Sequence, residues 1–150
     1  MEQLQQAKKG IAILPQTIDN ATASSFVIDT AGVDFVNIDV IIGATDIALT
    51  TLKVQESDVA TNSTTLSSPS DISTLVYGAN GSTLPSATDD NKIFSFEINT
   101  QGLKRYLQLV AVAGNGTTGV AIAAKYNCGK VANQSLDAAG KGVAAVLNNA

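Results

Sequence analysis

The stretch Asp34-Phe35-Val36-Asn37-Ile38-Asp39-Val40-Ile41-Ile42 decides the fold. Val36, Ile38, Val40 and Ile42 alternate with Asn37 and Asp39, and a period of two sets the apolar side chains on one face of a β-strand. The pattern recurs in both directions along the chain. Thr50 to Glu56 places Leu52 and Val54 inward against Lys53 and Gln55, and Ile93 to Ile98 places Phe94, Phe96 and Ile98 against Ser95 and Glu97. Arg105 to Ala113 and Thr118 to Tyr126 read as two further strands. Gly114-Asn115-Gly116 between them predicts a hairpin, because Asn-Gly supplies the positive φ values that tight hairpin turns require.

Punctuation between the runs is that of loops rather than helices. Asp29-Thr30-Ala31-Gly32 and Asn80-Gly81 mark turns, and Gly43 ends the strand that opens at Asp34. Ser57 to Asp71 is rich in Ser, Thr and Asn and predicts an exposed loop, followed by a short strand at Ser73 to Tyr77. About seven strands with almost no helical pattern between them argue for an all-β domain, two antiparallel sheets packed as a β-sandwich. Strand order separates immunoglobulin-like from jelly-roll connections, and alternation alone leaves both open.

The ends read differently. Residues 1–25 are expected to form an N-terminal arm and a first edge strand, in which the run Ile11 to Leu14 stops at Pro15, whose missing N–H suits a sheet edge. Residues 26–128 form the sandwich body. From 129 to 150 the composition turns to Ala and Gly, and Gly140 and Gly142 weaken any helix over Leu136 to Leu147, so a C-terminal tail or second arm is expected.

Composition narrows the function classes. The 150 residues suffice for one domain with a core of its own. Cys128 is the only cysteine, so the fold rests on packing rather than on disulfides. The formal charge of −4 counts against nucleic acid as the main partner, since phosphate binding needs a dense basic patch, and Lys8-Lys9 and Lys104-Arg105 are only pairs. No stretch reaches the apolar length of a membrane span, and the first residues lack the basic-then-apolar order of a secretory signal, so an unexported protein without membrane contact is expected.

The chain contains no histidine, which removes the commonest general base and the commonest metal ligand together. Cys128 therefore has no histidine to activate it as a nucleophile. Asp29, Asp34, Asp39, Asp46, Asp89 and Asp90 form an acidic series without the spacing of a calcium loop, and most of them sit where aspartate favours turns. Asp39 and Glu97 are candidate paired acids for glycoside hydrolysis, but their spacing in the sequence gives no reason for them to meet. Neither an enzymatic activity nor a cofactor or metal is expected. Lys8, Lys9, Ile11, Ile13 and Pro15 are the candidate partner-binding residues, an apolar stripe beside two lysines. The competing reading makes them the first strand of the chain's own sandwich.

Gly32-Val33-Asp34-Phe35-Val36 leading into Ile38-Asp39-Val40, then Leu52-Lys53-Val54-Gln55-Glu56-Ser57, Leu84-Pro85, Asp89-Asp90-Asn91 and Lys104-Arg105-Tyr106-Leu107, resembles the capsid-associated decoration or cement proteins of tailed bacteriophages. The resemblance extends over Phe26 to Tyr126. It implies a β-sandwich that binds the major capsid protein on the outer surface of the shell, often as a homotrimer, made in the host cytoplasm and carried on the virion. A carbohydrate- or receptor-binding module of a tail fibre or adhesin is the alternative. Its aromatic sugar platforms have few candidates here, with no Trp and three Tyr.

Overall fold

The computed structural model describes residues 8–129 and 143–149. Eleven strands follow one another in the described residues: β1 (Lys8–Ile18), β2 (Val27–Asp29), β3 (Phe35–Thr45), β4 (Leu49–Ser57), β5 (Ala60–Asn62), β6 (Thr65–Leu66), β7 (Ser70–Val76), β8 (Lys92–Asn99), β9 (Tyr106–Ala113), β10 (Val120–Gly129) and β11 (Ala145–Asn148). A five-stranded sheet, ordered β1-β10-β3-β8-β11, packs on a four-stranded sheet, ordered β2-β9-β4-β7. The protein is an antiparallel β-sandwich.

Its connections are those of a jelly roll. Four antiparallel pairs nest inside one another, β1 with β10, β2 with β9, β3 with β8 and β4 with β7. That nesting sets β1-β10-β3-β8 against β2-β9-β4-β7, the eight-strand order of two sheets wound from one folded ribbon. The strand β11 is an addition, parallel to β8, with Leu147 buried opposite Phe96. Asn149 extends this edge with its side chain, its Oδ1 accepting from Asn99 N at 2.7 Å and its Nδ2 donating to Asn99 O at 2.9 Å.

The alternating residues make the core. Val36, Ile38, Val40 and Ile42 of β3 face Leu52 and Val54 of β4 and Leu107, Leu109 and Ala111 of β9, all buried. Phe94 and Phe96 meet Tyr77 edge-on, with ring centroids 5.8 and 5.1 Å away. Tyr77 follows β7 and its hydroxyl donates to Ser95 O on β8 at 2.7 Å, so one side chain joins the two sheets.

Several expectations change. The hairpin between β9 and β10 does not exist: the two strands lie in different sheets, and residues 114–119 form an arch over one end of the sandwich. Gly119, at φ +83°, holds the positive φ, whereas Asn115 and Gly116 do not use it. Gly116 is needed for room instead, since an added Cβ would lie 2.9 Å from Ile47 Cβ. Second, β1 runs through Pro15, because the ladder to β10 shifts register between Ile13 and Gln16 and the missing N–H falls in that irregularity. Third, β3 continues past Gly43 to Thr45, and the stretch expected as a loop from Ser57 to Asp71 contains the β5–β6 hairpin, with Leu66 buried beneath it. Fourth, Ala145–Asn148, expected in a tail, is a strand of the main sheet. The weak helix considered over Leu136 to Leu147 falls largely outside the described residues.

Candidate interaction surface

The outer face of the five-stranded sheet is laid out by its register. Ile11 of β1 lies opposite Lys125 of β10, Lys125 opposite Asp39 of β3, Asp39 opposite Ser95 of β8, and Ser95 opposite Val146 of β11. One row away run Lys9, Asn127, Asn37, Glu97 and Asn148, and on the other side run Ala123, Ile41 and Ile93. Directly opposed side chains on one face sit about 5 Å apart, so these rows are contiguous strips of surface.

The middle of this face is a satisfied polar network. Asp39 accepts from Ser95 Oγ at 2.5 Å and lies 3.8 Å from Lys125 Nζ. The Asn37 amide nitrogen, oriented toward Asp39, donates to its two oxygens at 3.2 and 3.3 Å. Ser95 points outward as the alternation predicts, yet it is only 2% exposed. Asp39 and Glu97, far apart along the chain, are diagonal neighbours here. Asp39 is engaged by Ser95 and Lys125, which suits a structural link between strands.

The five residues expected to bind a partner separate into two groups. Ile13 is fully buried, opposite Ala124 in the core, because the irregularity in β1 turns both Ala12 and Ile13 inward. It therefore offers no surface for docking. Lys9 and Ile11 stand on the outer face, with Ile11 49% exposed, and Pro15 is exposed at the irregularity. Lys8 lies opposite Cys128 and reaches toward Asp29 O at 3.5 Å. Leu14 (43% exposed) and Ile41 (40% exposed) join the apolar strip, and sequence reasoning passed over both. The signal for Ile41 was present: in Val40-Ile41-Ile42 the alternation breaks, and the middle residue must face outward.

The edge strand β1 is tied to its own domain. Phe26 N donates to Ala12 O at 2.8 Å, and Gln16 exchanges hydrogen bonds with Ser24 at 3.1 Å in both directions. These links join the two sheets on the β1 side and occupy part of the free edge.

The opposite face carries a groove of about 410 Å³ beside β9, walled by Thr22 to Ser25 and by Thr64 of the β5–β6 hairpin, with Gln108, Leu109 and Val110 as its floor. It arises where the chain leaves one neighbour for another. Ala23 N donates to Ala111 O of β9, the next residues turn to pair with β1, and Val27 rejoins β9 opposite Gln108. Gln108 Nε2 holds both walls, donating to Ser25 Oγ at 3.0 Å and to Thr64 O at 2.7 Å.

Carboxylates organise one end of the sandwich. Asp46 accepts from the backbone N–H of Thr117 and Thr118 at 2.8 Å and of Gly119 at 2.9 Å, and these bonds hold its carboxyl below the usual range. Asp19 accepts from Gly116 N at 2.7 Å and Asp90 from Thr45 N at 2.9 Å. Asp89 accepts from Ser86 N and pairs with Lys92 at 2.8 Å, which lowers its pKa, Lys92 being the larger cause. The acidic series thus pins loops. Among the described residues no three His, Cys, Asp or Glu side chains converge as metal ligands, and no helix is long and apolar enough to cross a membrane. Cys128 is a free, buried thiol whose pKa burial pushes up.

No protein family, curated protein or solved structure matches this chain.

Proposed function

We propose that this protein is a virion structural protein that binds the outer surface of a tailed-phage capsid as a decoration or cement protein and stabilises contacts between capsomers. The observation that carries the reading is the outer strip at β1, where exposed Ile11 and Leu14 flank Lys9, Lys125 and Pro15 on a rigid sheet. Aliphatic groups beside cations suit a protein surface, with the apolar atoms supplying affinity and the lysines orientation. The jelly-roll order adds fold-level support, since such sandwiches build many viral structural proteins as well as lectins. Several copies bridging one shell would act together, so weak individual contacts suffice. A homotrimer is part of the same reading, with the major capsid protein as partner.

The test is co-sedimentation of the purified chain with phage heads that lack it. An Ile11→Asp, Leu14→Asp double variant, which leaves the buried side of β1 intact, is expected to stay folded and to lose binding. Equal binding by the variant would remove this surface from the contact, and absence of wild-type binding to any candidate head would refute the reading.

A further inference from the structure

The groove beside β9 contains hydrogen-bonding capacity that the fold does not use. The hydroxyls of Thr22 and Ser24 have no partner among the described residues, and both residues are exposed at the wall. Ser25 Oγ accepts from Gln108, which leaves its own proton to donate. Gln108 is anchored through Nε2 to Ser25 and to Thr64 O, so its Oε1 is held in place as an acceptor. Every group lining the groove is uncharged, and the outward side chain of Val110 gives it an aliphatic floor, Leu109 contributing only its backbone.

Donors and acceptors alternating on neutral side chains, over an apolar floor, match a ligand that carries both kinds of group and no charge. An anion would find no cation here and a cation no carboxylate. A volume of about 410 Å³ lies at the lower end of the range for small-molecule sites, enough for a sugar ring and too small for a folded partner. We propose that the groove lined by Thr22, Ser24, Ser25, Thr64 and Gln108 binds a neutral saccharide unit. The ring's apolar face would rest on the Val110 side of the floor while its hydroxyls exchange hydrogen bonds with the wall. The site opens beside β9 of the four-stranded sheet, whereas Ile11 stands on the outer face of the five-stranded sheet, and the Ser24 wall is bonded to Gln16 where the two meet at the β1 edge. The proposal does not depend on capsid binding.

Affinity is expected to be weak, because the lining contains no aromatic ring. Amide chemical shifts of the full chain, followed while glucose, galactose, mannose and N-acetylglucosamine are titrated to about 100 mM, read such binding directly. Saturating shifts confined to Ser24, Ser25, Thr64 and Gln108 to Val110 with at least one sugar, and none there with glucuronate or inorganic phosphate, are the expected result. A Thr22→Val, Ser24→Ala double variant removes two hydroxyls that hold nothing in the fold, and it should keep the reference spectrum while weakening binding at least about fivefold. Absence of saturating shifts with every neutral sugar overturns the proposal, as does unchanged affinity in the variant. Capsid co-sedimentation is measured separately, so failure of one proposal leaves the other standing.

Discussion

Replacing Tyr77 by Phe removes one hydroxyl from the side chain that joins the two sheets. That hydroxyl donates to Ser95 O on β8 at 2.7 Å, and the ring stays in edge contact with Phe94 and Phe96 in either case. Tyr77 is 3% exposed, so water cannot replace the lost donor, and Tyr77→Phe should destabilise the fold by about 1 kcal/mol. Tyr77→Leu also loses two edge-to-face ring contacts, which raises the expected loss to about 2–4 kcal/mol. Burial raises the Tyr77 pKa far above that of an exposed phenol. The raised pKa fixes the sign of a pH effect. Below the unfolded-state pKa of about 10 the contribution is fully present, and above it the unfolded chain releases a proton that the folded chain keeps. Stability should therefore fall by up to about 1.4 kcal/mol per pH unit on this account, until the folded pKa is reached. Urea denaturation followed by far-ultraviolet circular dichroism, at neutral pH and at intervals above pH 10, measures both effects. Phe at this position should lower the neutral value and flatten the alkaline decline. A variant equal to wild type at neutral pH, with the same alkaline slope, would refute the placement of Tyr77 as a buried inter-sheet link.

Two further perturbations test separate parts of the fold. Arg105 grips Asp29 through Nε and Nη2, both at 2.9 Å, and this guanidinium holds the Asp29 carboxyl down at about 2. A depressed carboxyl contributes above its unfolded pKa of about 3.9 and stops contributing as pH falls toward the folded value. Both side chains are well exposed, so the component is small and salt-sensitive. Urea midpoints between about pH 4 and pH 2 should show it in wild type at low salt and lose it in Arg105→Gln; an identical acid limb in that variant would disprove it. At Gly119 an added Cβ would lie 2.4 Å from Ile18 O with φ at +83°, whereas at Gly32, φ +74°, nothing stands within 4 Å. Gly32→Ala is expected to lose roughly 1 kcal/mol through backbone strain alone, and Gly119→Ala distinctly more. Equal melting temperatures for the two variants would contradict the tight arch.

Particular residues show how far the sequence could be read. Leu52, Val54, Phe94, Phe96 and Ile98 are buried as their alternation requires, because side-chain period is a local property of an extended chain. Gly114-Asn115-Gly116 misled for the complementary reason. A turn dipeptide reports what backbone angles are accessible, while the sheet that each flanking strand joins depends on partners far away, β4 and β2 for β9, β1 and β3 for β10. Ile13 belongs to an apolar stripe beside Lys8 and Lys9 that the sequence sets outside the regular core pattern, and only the irregularity in the β1 ladder tells which of Ile11 to Leu14 face inward.

The candidate surfaces divide in the same way. Lys9 and Ile11 were legible as apolar residues next to charge outside the regular pattern. The groove was not, since Thr22, Ser24, Thr64 and Gln108 are ordinary polar residues until the chain crosses from β9 to β1 and the β5–β6 hairpin closes over the gap. By itself, the sequence determined an all-β sandwich and most of the residues in its core, because period and turn propensity act over a few residues. Tertiary structure alone decided the jelly-roll order, the addition of β11, the burial of Ile13 and the groove, because each depends on which distant segments share hydrogen bonds and apolar contact. Such pairings are settled by the free energy of the whole core and leave no mark on any short stretch of chain.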